Sequence, residues 1–169
     1  PFLGGLIQAG VLSAAGGGMS TTLALRTEPI NLEGILREAV SFQGDEEVDA
    51  LHPVCALIQV VTDVTDPLNY ARYWHREADW FSKAPVGLLL TTGLSDPFTP
   101  PETGLALAAA GGLPIIAPVS WHSPAHDNAG LSAESLPASE NLLAWDGSRP
   151  TGGVAQFPEN GHYAVFHNL

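Results

Sequence analysis

Four apolar runs stand out from the pattern of hydrophobic and polar positions, and each predicts a β-strand. Leu6 to Leu12 and Val86 to Thr92 are mainly apolar runs closed by glycine-containing turns. Because the first run does not alternate with polar residues, we expect helices on both of its faces. Ile115 to Val119 and Val154 to Phe157 predict two further strands nearer the carboxyl end.

Residues 20–84, between the first two strands, carry mostly helical patterns. Asn31 is placed to cap one helix, and Asp45 is a second candidate cap. Apolar residues at spacings of three and four then predict a helix that begins near His52, with the following proline in its first turn. Tyr70 to Trp80 predicts a further helix that is rich in aromatic residues.

A short loop and a helix follow the second strand. Thr99 and Glu102 are spaced as a capping box with Pro100 at the first helical position, and residues 105–110 are strong helix formers. Asp96 therefore lies in the short loop between a buried strand and this helix.

The order strand, helical block, strand, helix, strand, strand predicts an α/β fold. Residues 120–153, rich in Ser, Pro, Asn and Gly, form a long loop excursion in this scheme. Ligands of open α/β sheets bind at the carboxyl ends of the strands, and both Asp96 and His162 follow predicted strands. A carboxylate and a histidine so placed suggest an acid–base pair, although each also fits a structural role in a turn.

Composition and charge narrow the classes of function. The chain has 169 residues, of which 45% are hydrophobic, as expected of a single packed domain. Six basic residues against 18 acidic ones give a net charge of −12, which excludes binding to nucleic-acid backbones and basic anchoring to anionic membranes. No apolar run approaches the roughly 20 residues of a membrane span.

A histidine-rich segment raises the possibility of a metal site. His122, His126 and Asp127 resemble a ligand cluster, but Pro124 between the two histidines disfavours a shared helical face. We expect a loop that packs beside the active site instead. No phosphate-binding or dinucleotide-binding glycine motif occurs, so we expect no cofactor and no metal.

Two segments resemble the acid and histidine segments of the α/β-hydrolase superfamily, and are most similar to its bacterial secreted lipase- and esterase-like members. Pro85 to Pro101 contains the form Gly-x-x-Asp-x-x-x-Pro, and Asn160 to Phe166 contains Gly-His followed by aromatic and apolar residues. The resemblance implies a partial α/β-hydrolase fold, with a mostly parallel sheet, helices on both faces, and residues 20–84 as a helical cap. It also implies that Asp96 is the acid and His162 the base of a serine hydrolase acting on small-molecule or lipid carboxylic esters.

The nucleophile of such an enzyme is not evident, because Gly-x-Ser-x-Gly does not occur in these residues. Ser20 in Gly18-Met19-Ser20-Thr21-Thr22 has the right chain order, but Thr22 replaces the second glycine and a helix-capping role is favoured. We therefore expect residues 1–169 to be the C-terminal portion of a hydrolase whose N-terminal half carries the serine, and to be inactive alone. The alternative is a non-catalytic binding or structural domain of the same fold. The acidic, lysine-poor composition suits a bacterial extracellular or periplasmic protein.

Overall fold

A three-stranded parallel sheet forms the centre of the computed structural model, which describes residues 7–42, 46–77 and 84–167. The strands are β1 (Ala9–Ser13), β2 (Gly87–Gly93) and β3 (Gly152–Phe157), in the order β1-β2-β3. Val11 of β1 is in register with Leu89 of β2, which is in register with Gly153 of β3. Parallel strands joined through helical segments place the protein in the α/β class.

Six α-helices accompany the sheet in the described residues. They are α1 (Met19–Leu25), α2 (Leu32–Val40), α3 (Pro53–Thr62), α4 (Pro101–Gly111), α5 (Pro124–Asn128) and α6 (Ala164–His167). The Asn31 side chain accepts a hydrogen bond from the backbone N–H of Gly34, so the predicted cap of α2 is confirmed. The helix predicted to begin near His52 is also confirmed, because His52 caps α3 through its side chain. Asp45, the other predicted cap, lies outside the described residues.

Helix α4 covers one face of the sheet and forms the main core. Its residues are buried on nearly every side, as expected of a helix enclosed by other elements. Gly104 allows α4 to approach β2 closely, since a Cβ atom there would lie 3.2 Å from Thr92 Oγ1 in β2. Gly112 ends the helix in the left-handed conformation with φ 73°. The buried core includes Leu88, Leu90, Leu105, Leu107, Leu113 and Val154.

The strand predicted over Ile115 to Val119 is wrong. Ile115 forms a single parallel bridge to Val154, and Ile116 forms one to Glu134, so the segment joins two partners rather than extending the sheet. Pro114 precedes the segment and Pro118 lies within it, and both lack the N–H group that a continuous ladder needs.

Two helix predictions also need correction. In place of a helix from Tyr70 to Trp80, 3-10 turns occupy Pro67–Asn69 and Ala71–Trp74, and residues 78–80 lie outside the described residues. The predicted capping box at Thr99 does not form, because the N-cap of α4 is Pro100 and no side chain caps it. Proline disfavours a helical conformation in the residue before it. The 3-10 turn therefore begins at Pro67 after Asp66, and α4 begins at Pro101 after Pro100.

Strand β1 differs from its prediction in both position and environment. It covers Ala9–Ser13 rather than Leu6 to Leu12, and Leu6 lies outside the described residues. Its residues alternate between exposed and half-buried, and Val11 is 61% exposed, so helices do not cover both faces within the described part of the chain. Among the described residues, no helix has the length and apolar character required to cross a membrane.

Candidate active site

Asp96 lies in the loop that leaves the carboxyl end of β2, as predicted. Its Oδ1 atom accepts hydrogen bonds from the backbone N–H groups of Phe98 at 2.8 Å and Thr99 at 2.9 Å. These bonds close a tight turn of the kind that aspartate forms before proline. The other carboxylate oxygen is thereby left to face the loop after β3.

His162 reaches Asp96 because the two loops approach each other closely. The N–H of Leu94 donates to the carbonyl of Phe157, and that of Ser95 donates to the carbonyl of Asn160. Gly93 makes this approach possible, since a Cβ atom there would lie 2.3 Å from the carbonyl oxygens of both Asn160 and Gly161. A side chain at position 93 would therefore push the histidine loop away.

The Nδ1 atom of His162 lies 2.9 Å from Oδ2 of Asp96. The Asp96 side chain is 1% exposed, whereas the His162 side chain is 29% exposed. One end of the imidazole thus meets a buried carboxylate while the ring still reaches the surface. A buried, hydrogen-bonded carboxylate beside an accessible histidine is the arrangement that orients a general base.

The hydrogen bonds also indicate the tautomer of His162. An ionised carboxylate can only accept, so Nδ1 carries the proton that it donates to Oδ2. In the neutral imidazole, Nε2 then holds a lone pair. Nε2 makes no hydrogen bond to any described residue, so among these residues its lone pair is unused.

Ser20 is neither the helix cap that the sequence favours nor a partner of His162 among the described contacts. It is the second residue of α1, and its backbone N–H donates to Oε1 of Gln59 at 2.9 Å. The N-cap is Gly18, in the left-handed conformation with φ 91°. A nucleophile elbow would put the strained position at the serine itself.

Asp66 supplies the missing cap of α1 from another part of the chain. Its carboxylate accepts from the N–H groups of Gly18 at 3.0 and 3.1 Å and of Met19 at 3.2 Å, and also from Leu68. Burial alone would raise the pKa of Asp66, but hydrogen bonds from Gln59 and these backbone groups outweigh it and lower the pKa. The buried carboxylate thus holds the turn after β1 against the helical segment.

The histidine-rich segment does not assemble the proposed ligand cluster. Pro124 begins α5, which leaves His122 outside the helix and exposed. His126 is buried, with Nε2 3.0 Å from the carbonyl oxygen of Leu113, so this atom already has a protein partner. Within residues 7–42, 46–77 and 84–167, no group of three or more metal-binding side chains occurs.

A separate cleft of about 320 Å³ lies away from the Asp96–His162 pair. It is beside the amino-terminal end of β3, where the Asn141 side chain bonds the backbone of Gly152. Its lining includes His75, Arg76 and Glu134. Asp96 and His162 are instead at the carboxyl ends of the strands, where ligands of parallel sheets bind.

Comparisons of the chain with protein-family models, with curated proteins and with solved structures found no match.

Two residues of this region were missed by the sequence reasoning. The ring of Phe98 lies against that of His162, with centroids 5.1 Å apart. Asp66 accepts a hydrogen bond from Leu68 within its own turn and another from Gly18 in a remote segment. The Asp-Pro pair signals a turn, but no local pattern signals a partner 48 residues away.

Proposed function

We propose that this chain supplies the catalytic acid and base of a serine hydrolase that acts on carboxylic esters, of the lipase or esterase type. The observation that carries the proposal is the 2.9 Å contact between His162 Nδ1 and Asp96 Oδ2, at the carboxyl ends of adjacent parallel strands. The resemblance of the two segments to the α/β-hydrolase superfamily supports the proposal, because in that superfamily the acid precedes the histidine along the chain, as Asp96 precedes His162.

In the proposed reaction, a serine hydroxyl adds to the ester carbonyl carbon while Nε2 of His162 takes the hydroxyl proton. Asp96 holds the imidazole orientation and stabilises the imidazolium that forms. The tetrahedral oxyanion collapses, the bond to the alcohol oxygen breaks, and the proton passes from Nε2 to that leaving alkoxide. Water then repeats the sequence on the acyl-enzyme, which releases the carboxylic acid and restores the serine.

The proposal assigns the nucleophile to a Gly-x-Ser-x-Gly segment of the N-terminal half of the fold, outside these 169 residues. The position of Ser20 inside α1, with a left-handed glycine two residues earlier, favours this assignment over Ser20. The exposed sheet face supports it independently. Val11 and Leu89 are register partners that are 61% and 40% exposed, whereas parallel sheets are normally covered on both faces.

A fluorophosphonate probe tests the proposal on the complete protein, with adduct mapping by mass spectrometry and hydrolysis of short-chain and long-chain nitrophenyl esters. We expect one labelled serine within Gly-x-Ser-x-Gly, and loss of labelling in His162→Ala. The exposed-histidine variant His122→Ala is the matched control and should label normally. Activity should persist in chelator.

Two other outcomes would contradict the proposal or its assignment of the base. Absence of both labelling and ester hydrolysis in a folded protein would contradict the proposal and favour the non-catalytic binding domain. Labelling that persists in His162→Ala would assign the base elsewhere.

A further inference from the structure

Two aromatic rings of the described residues contact the imidazole of His162. The Phe98 ring lies at a centroid distance of 5.1 Å with the planes tilted by 40°, and the Tyr163 ring meets the imidazole edge-on at 5.1 Å and 86°. Tyr163 is 56% exposed, whereas Phe98 is partly buried. Both centroid distances are typical of aromatic pairs, and of these two rings Phe98 is the more sheltered.

The backbone that carries the Phe98 ring is held on both sides. Its N–H donates to Oδ1 of Asp96 at 2.8 Å, so the carboxylate that binds His162 also fixes Phe98. The carbonyl of the preceding Pro97 accepts from the N–H groups of Thr27 and Glu28, each at 3.1 Å. The proline ring itself restricts the backbone angle φ.

One hydrogen bond does not fix an imidazole completely. The contact at Nδ1 anchors one atom, but small rotations about the side-chain torsions χ1 and χ2 can still tilt the ring and move Nε2. A functional group needs positioning to within about 0.5 Å and 10–20°. A second contact on the ring is required to restrict that rotation.

We infer that Phe98 is a positioning residue for His162: Asp96 anchors Nδ1, and the Phe98 ring sets the plane of the imidazole and shields the Asp96–His162 hydrogen bond from water. This inference rests on the proposed function as far as the reaction is concerned, since its catalytic consequence requires His162 to be the base. The contact between the two rings does not depend on that assignment.

Replacing Phe98 should change kcat more than KM. Phe98→Ala should lower kcat about 10- to 100-fold with little change in KM, because a small misplacement of a catalytic group costs rates of that order. Phe98→Leu should lie between Phe98→Ala and the wild type, because leucine retains the apolar cover but not the ring. Phe166→Leu is the matched control, since Phe166 is 69% exposed and makes no ring contact with His162 among the described residues.

The decisive experiment is NMR on the complete protein labelled with ¹⁵N-histidine. In the wild type we expect a single Nδ1-protonated tautomer of His162 and a slowly exchanging Nδ1–H proton. Phe98→Ala should accelerate exchange of that proton about tenfold or more and introduce the second tautomer, whereas Phe166→Leu should do neither. Phe98→Leu provides the same test if the alanine variant fails to fold.

The outcomes separate this inference from the proposed function. Unchanged exchange and tautomer in Phe98→Ala, with an effect on KM alone, would make Phe98 a substrate-contacting wall and overturn the inference. Altered exchange in a protein that never reacts with fluorophosphonate would support the positioning role and contradict the hydrolase proposal.

Discussion

Asp96 and His162 are 66 residues apart in the chain, yet Oδ2 of Asp96 and Nδ1 of His162 lie 2.9 Å apart. Adjacent parallel strands bring them together, because the carboxyl ends of β2 and β3 meet at one edge of the sheet. The other carboxylate oxygen of Asp96 accepts from two backbone N–H groups. One oxygen of the carboxylate thus holds its own turn, and the other binds His162.

Asp96→Asn should invert the tautomer of His162. The two N–H groups at Oδ1 require an acceptor, so the amide oxygen will occupy that site and the NH2 group will face Nδ1. Nδ1 must then accept, which places the proton on Nε2 and removes the lone pair that the proposed base needs. We expect kcat for ester hydrolysis to fall about 10⁴-fold, as in triads with a misplaced tautomer, without loss of the fold.

Steady-state kinetics and ¹⁵N chemical shifts of the histidine measure this effect. Asp127→Asn, at an exposed carboxylate on α5, is the matched control and should leave both unchanged. Near-normal activity of Asp96→Asn would show that the acid is another residue.

Gly93→Ala should separate Asp96 from His162 while preserving most of the core. The added Cβ would lie 2.3 Å from two backbone carbonyl oxygens of the histidine loop, and backbone cannot yield as the end of a flexible side chain can. We expect activity to fall at least about 100-fold, since misplacement by about 1 Å has effects of that size. Loss of the His162 Nδ1–H resonance would report the broken contact.

Gly34→Ala is a suitable control for this substitution. A Cβ atom at Gly34 in α2 meets its nearest atoms at 3.5 Å, which is ordinary van der Waals contact. This variant should keep full activity and equal or higher stability, because alanine favours a helix over glycine. An active Gly93→Ala with an intact Nδ1–H signal would contradict the close approach of the two loops.

The sequence predicts best those features that depend on a few consecutive residues. An apolar run followed by a glycine and an Asp-Pro turn places Asp96 at a strand end, and Asn31 caps its helix through a bond to Gly34 only three residues away. Such signals do not depend on the rest of the fold. The acid–histidine contact itself required the further step of assuming adjacent parallel strands.

The features that the sequence predicts poorly depend on partners far away in the chain. Ile115 to Val119 has the composition of a strand, but strand formation depends on a pairing partner, and Ile115 and Ile116 pair with different segments. The Phe98–His162 ring contact and the Asp66–Gly18 contact likewise join remote segments. No periodicity within one segment encodes these contacts.

Asp66→Ala should destabilise the folded protein by roughly 3 kcal/mol. It removes the acceptor for the N–H groups of Gly18, Met19 and Leu68, and buried donors without partners are costly. Urea unfolding measures the difference at pH 7. Asp63→Ala is the control, because Asp63 is exposed in the same turn and its loss should cost less than about 0.5 kcal/mol.

The Asp66 carboxylate should also make the free energy of unfolding depend on pH. The pKa of Asp66 is lower in the folded state than its ordinary value, so this group stabilises the fold above its unfolded pKa of about 3.9. That contribution is lost as the pH falls through the folded pKa. The difference between the wild type and Asp66→Ala should therefore shrink below about pH 4, and a constant difference would contradict the role of the charge.

His126 should make stability fall at a milder acidity. Burial lowers the pKa of His126 despite its bond to the Leu113 carbonyl, and its buried Nδ1 atom has no hydrogen-bond partner in the part of the chain that the structure describes. The unfolded chain thus binds a proton below its pKa of about 6.5, while the folded protein does not until the pH reaches the lower folded value. Between these two pKa values, His126 lowers the free energy of unfolding by up to about 1.4 kcal/mol for each unit by which the pH falls.

His126→Gln should reduce that slope, because the amide can donate to the Leu113 carbonyl but does not titrate. Urea unfolding at intervals from pH 7.5 to pH 5 measures it, with His122→Gln as the exposed-histidine control. His75 is also buried, and burial together with Arg76 lowers its pKa, so part of the acid sensitivity should persist in His126→Gln. An unchanged slope in His126→Gln would mean that His126 binds its proton equally in the folded and unfolded states.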